Sequence, residues 1–129
     1  MVYVDFAILG ADSKTVHAGS YCADDQDLYW EYHDFVYANQ GDENDGWANT
    51  ENLKILVSSL DGLDVDLFSD CLDSGKYDGR IGDNSITASR TGAQSTPSFI
   101  IVGPNDVVTL AGAQPYDAFS NAIDSLFES

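Results

Sequence analysis

A proline set directly before an apolar run, in Thr96-Pro97-Ser98-Phe99-Ile100-Ile101-Val102, constrains this chain's architecture more than any other stretch. Proline has no backbone N–H, so it cannot donate within a ladder and stands where a strand begins or bends. Ser98 to Val102 therefore reads as a strand. Gly103-Pro104-Asn105-Asp106 supplies the turn after it, and Val107, Val108, Thr109 and Leu110 a second strand reaching about residue 111. Pro115 suits the first turn of a closing helix, whose Tyr116, Phe119, Ile123 and Leu126 share one stripe. The back of the chain is thus a strand, a tight turn, a strand and a helix.

The front reads differently. Val2, Val4, Phe6 and Ile8 alternate with other residues, which predicts a strand over residues 2–8. Asp12 or Ser13 can cap a helix over about 14–24. Leu28, Tyr32, Phe35 and Val36 carry the helical period through a second helix, about 26–39. The run from Gln40 to Gly46 has no apolar residue and is a loop. Thr50 caps a third helix with Leu53, Leu56, Val57 and Leu60 on its stripe. Val65, Phe68 and Leu72 mark a fourth, stopped near Ser74-Gly75, and a weaker fifth covers about 76–91. At 129 residues this is expected to be one domain, with a helical insertion over about 12–91 and sheet elements at about 2–8, 98–102 and 107–111.

Charge narrows the partners. Asp and Glu number 22 against five Lys and Arg, for a net charge of −17. Phosphate recognition needs clustered cations, so nucleic acid is excluded as a partner, and anionic membrane surfaces are disfavoured. No apolar run reaches the roughly 18 residues that a membrane span needs, and the start shows no targeting signal. Carboxylates this dense repel one another unless salt screens them, which points to a protein adapted to a salty, halophilic setting, the alternative being an ordinary acidic extracytoplasmic protein. An apolar fraction of 43% argues against disorder.

The candidate chemistry is sparse. Thiol–disulfide exchange needs a thiolate activated at a helix N-terminus and a resolving thiol two residues on. The two cysteines, Cys22 and Cys71, stand 49 residues apart, late in one expected helix and midway along another. A bridge, two buried thiols and a redox pair all remain open for them. His33 and His17 read as packing residues without ligand partners at metal spacing. The acidic loop of Asp42, Glu43 and Asp45 fails as an EF-hand: a glycine at the sixth position puts Gly41 first and Asn52 twelfth, and both carboxylates are missing. Tyr29, Trp30, Tyr32, Phe35 and Tyr37 form an expected packing face. Neither a metal nor a cofactor is expected.

In the order and spacing of several runs, the chain resembles the DsbA-like thiol–disulfide oxidoreductase family. These runs are Asp5-Phe6-Ala7-Ile8-Leu9-Gly10, Tyr21-Cys22-Ala23, Tyr29-Trp30-Glu31-Tyr32-His33-Asp34 and Asn39-Gln40. They continue with Asn52-Leu53, Cys71-Leu72-Asp73-Ser74-Gly75-Lys76-Tyr77, Thr96-Pro97-Ser98-Phe99 and Gly112-Ala113-Gln114-Pro115-Tyr116. The family usually has Pro where Ala7 stands and Gly where Ser95 stands. The resemblance implies an α/β, thioredoxin-like fold with an inserted helical subdomain. It also implies a cis-proline loop at Ser95, Thr96 and Pro97, facing a cysteine pair and an extended substrate peptide. Cis costs an X-Pro bond only about 0.5–1 kcal/mol. Cys22 and Cys71 would pair as a structural disulfide, which places the protein in an oxidising, extracytoplasmic compartment.

No Cys-x-x-Cys occurs in these 129 residues, whereas the family carries one on a helix behind a further strand. The chain therefore reads as N-terminally truncated against the family by roughly 40–60 residues, a βα unit and more. Two readings follow: part of an oxidoreductase that is inactive alone, or a non-catalytic interaction or peptide-binding module. Either leaves open strand edges, so a homodimer or another partner completing the sheet is expected.

Overall fold

The computed structural model describes residues 1–128. In chain order it holds α1 (Ala11–Asp24), α2 (Tyr29–Asn39), α3 (Thr50–Val57), α4 (Val65–Ser74), α5 (Asp78–Arg90), β1 (Ser98–Val102), β2 (Val107–Ala111) and α6 (Tyr116–Glu128). The chain divides into two compact units, Met1–Thr87 and the part from Ala88 onward.

The first unit is helical. Its main core joins Cys22 and Ala23 of α1, Tyr32 and Val36 of α2, Leu53 and Val57 of α3, and Phe68 of α4. Tyr32 and Phe68 set their rings 5.9 Å apart, and the buried Tyr32 hydroxyl donates to the Val16 carbonyl at 2.8 Å. A buried hydroxyl without such a partner would cost about 1–3 kcal/mol. A second cluster gathers Ala7, Ala18, Tyr21 and Ile81. Helix ends are set by side chains. Asn49 accepts from the Asn52 N–H at the start of α3, and Asp64 accepts from Asp66 and Leu67 at the start of α4. Gly75 ends α4 in the left-handed region, φ 66, which a residue without Cβ takes at least cost.

Three local expectations need correction. Residues 2–8 make no ladder: among the described residues β1 and β2 pair only with each other, and a strand needs a neighbour. Helix α2 starts at Tyr29, not near 26, because Asp27 takes φ 60 and breaks the helical path. The caps also move. Gly10 stands before α1 while Asp12 is buried and accepts from the Gly46 N–H at 2.7 Å, and Asn49 rather than Thr50 caps α3.

In the second unit, β1 and β2 form an antiparallel hairpin with Ser98 opposite Ala111 and Val102 opposite Val107. α6 packs on both strands, with Phe99 and Phe119 edge to face at 4.8 Å. Gly103 gives α6 room: a Cβ there would lie 2.8 Å from Leu126 Cβ.

Candidate functional site

Two features correspond to the residues singled out by the resemblance, one in each unit. The first is the turn into β1. The Thr96–Pro97 peptide is cis, and Ser95, Thr96 and Pro97 are all exposed. Proline donates no hydrogen bond there, and its carbonyl accepts one from the Gly112 N–H at 2.8 Å. The Ser98 hydroxyl donates to the Ser95 carbonyl at 2.6 Å and folds the approach back on itself. Beside this turn, β1 uses one edge for β2. Its other edge has no strand partner among the described residues.

The second feature is the sulfur pair. Cys22 on α1 and Cys71 on α4 are linked, with S–S 2.08 Å and Cα–Cα 5.8 Å. Cys22 is only 2% exposed and lies in the main core, whereas Cys71 is half-buried. Neither stands at a helix N-terminus, where a thiolate gains most from the backbone dipole. Asp25 Oδ2 approaches Cys71 Sγ at 3.7 Å. A disulfide sulfur has no proton to give, so this is a contact and not a hydrogen bond. That carboxylate is held by the Lys76 ammonium at 2.8 Å and the Tyr77 hydroxyl at 2.6 Å. The hydrogen bond from Lys76, then that from Tyr77, holds the Asp25 carboxyl below the usual carboxylate range. Lys76 and Tyr77 are pushed up in return, chiefly by the bond to Asp25.

A buried polar cluster escaped the sequence reading. The Tyr21 hydroxyl donates to Asp5, and the Asn84 side-chain amide donates to the same carboxylate at 2.7 Å. Burial, followed by the bond to Asp5, pushes Tyr21 up to about 12. Asp5 was visible as the one acid in an alternating apolar run, but nothing marked Asn84 as its partner. His17 lies nearby in charge terms. Burial lowers it, Asp5 partly opposes this, and its Nδ1 is buried with no hydrogen-bond partner among the described residues. His33 sets Nδ1 2.9 Å from Asp34 Oδ1 and lies among the rings of Tyr29, Trp30 and Tyr37.

The acidic loop turns inward on itself, with Asp45 accepting from the Trp47 N–H at 2.9 Å. Among the described residues, no group of three His, Cys, Asp or Glu is placed to hold a metal ion. No described helix is long and apolar enough to cross a membrane.

Comparison with known proteins bears on these features. A family model described as Thioredoxin matches residues 1–125. The chain is 27% identical over 127 residues to a probable disulfide bond formation protein D from Bacillus anthracis, covering 96% of this chain and 56% of that protein. A protein of the same description from Bacillus cereus is 26% identical with the same coverage. The chain thus spans little more than half the length of these relatives. Among solved structures, oxidised BdbD from Bacillus subtilis superposes with a TM-score of 0.71 at 17% identity, over 98% of this chain and 67% of that one. At that identity the likeness shows a thioredoxin-like fold.

Proposed function

Because this chain belongs to the thioredoxin family, on its DsbA-like branch, we propose that it serves a thiol–disulfide oxidoreductase as the part that meets substrate. The exposed cis-proline turn carries the proposal: Ser95, Thr96 and Pro97 lead into an edge of β1 that has no strand partner among the described residues. An extended peptide can add to such an edge as a further strand, with main-chain hydrogen bonds supplying affinity. Exchange itself begins when a thiolate attacks a disulfide sulfur. The sequence has no Cys-x-x-Cys, and its two cysteines are already joined. These 129 residues alone are therefore inactive in exchange. Cys22–Cys71 acts as a structural bridge, since its buried sulfur is part of the core. A bridge of that kind persists in an oxidising compartment, which supports an extracytoplasmic location. The edge of β1 without a strand partner among the described residues makes a second copy or another chain the expected means of completing the sheet.

The test is gain of function. The chain alone should show no turnover in insulin reduction or in oxidation of a dithiol peptide. Joined in front of Met1 to the strand and Cys-x-x-Cys helix of a disulfide bond formation protein, it should gain both activities. Thr96→Ala with Pro97→Ala should then raise KM for the peptide. Turnover by the chain alone, or an inert fusion that folds, overturns the proposal. The second reading, a non-catalytic peptide-binding module, rests on the same free edge and predicts peptide binding with no activity in either form.

A further inference from the structure

In the first unit, α1, α2 and the N-terminal segment border an open cleft of about 440 Å³ that no part of the thiol chemistry uses. Tyr3, Tyr21, Tyr29 and Trp30 supply its aromatic surface. Trp30 is 50% exposed and Tyr3 53%, and their rings meet edge to face at 5.2 Å. The packing expected of the α2 aromatics therefore holds for Tyr32, which is buried, and not for Trp30. Asp24, Asp27 and Glu31 bring three carboxylates to the same cleft, against the single cation of Arg80. Asp27 does so from a left-handed backbone, φ 60, a conformation that costs a non-glycine residue energy and recurs at functional positions.

Arg80 shows what this surface accepts. Its guanidinium lies over the Tyr21 ring, 3.9 Å from the centroid. Flat cations stack on aromatic faces because the ring quadrupole is negative there, and guanidinium does so more often than ammonium. Rings with excess carboxylate beside them meet both requirements of a second guanidinium. From this geometry we infer that the cleft binds an arginine side chain of another polypeptide, stacked on Trp30 and Tyr3 with its fork toward Asp27 and Glu31. The arginine is taken from a chain, which presents the guanidinium without the charged α-ammonium and α-carboxylate that the free amino acid would have to desolvate beside it. The inference stands independently of the exchange reading.

The test follows the two indole N–H signals of the 15N-labelled chain during titration with an end-capped Ala-Arg-Ala peptide. The Trp30 signal should move and saturate while that of Trp47 stays in place. Asp27→Asn and Glu31→Gln should each weaken binding about threefold, the size of an exposed ion pair. Arg80→Gln should tighten it, because removing the resident guanidinium frees the Tyr21 face; a merely structural Arg80 would not give that sign. An end-capped Ala-Glu-Ala peptide should leave Trp30 unmoved. The inference fails if millimolar arginine peptide leaves Trp30 unmoved, or if the glutamate peptide or free arginine binds as tightly. It fails too if the folded carboxylate variants bind unchanged.

Discussion

His17 shows how one side chain can tie the first unit to pH. Burial depresses its imidazole, Asp5 only partly restores it, and Nδ1 has no partner among the described residues. The native state therefore takes up a proton less readily than the unfolded chain, whose histidine titrates near 6.5. Stability from this group is complete above that value and is lost as pH falls through the lower folded value. Urea midpoints measured downward from neutral pH should show that slope, and His17→Gln should flatten it. A His17→Gln variant with the parent's slope would show that other groups govern the acid limb. Tyr21 works at the opposite end. Its stabilisation is complete below the ordinary phenol value of 10.0 and is lost as pH rises from there through about 12.

Among the elements, α1 and α4 are the pair most firmly joined, through the covalent link between Cys22 and Cys71. In the chain-entropy account, closing a loop of about 50 residues is worth roughly 4 kcal/mol. Reductant, or the double replacement Cys22→Ala with Cys71→Ala, should lower unfolding free energy by about that amount. An unchanged midpoint would show that packing around Phe68 suffices alone. Most helices were legible because their apolar residues recur at helical spacing, as Leu53, Leu56 and Val57 do in α3. The start of α2 was not, since nothing in Gln26-Asp27-Leu28 announces a left-handed backbone at Asp27. Residues 2–8 kept the alternation of a strand, but pairing is decided by a neighbour and not by the segment itself. Of the candidate site, the turn at Thr96-Pro97 was legible as the start of a strand because proline's chemistry is local, whereas its cis form was implied only by the resemblance. The Asp25–Lys76–Tyr77 cluster was not, because its members lie about fifty residues apart and meet only once α1 and α4 have packed.

At the scale of the whole molecule, charge dominates. A net −17 on 129 residues makes self-repulsion a term that dissolved salt weakens directly. Few cations offset it, Lys54 to Asp73 at 2.7 Å and Lys76 to Asp25 at 2.8 Å being two that do. Melting temperature should therefore climb steadily from low to multimolar NaCl, and a flat or falling curve would overturn the halophilic reading. The sulfur link has one more consequence, for proteolysis. It joins the chain on both sides of the exposed stretch from Gln40 to Asp45, so scission there leaves two fragments that still migrate as one species. Only a reducing gel would reveal the cut.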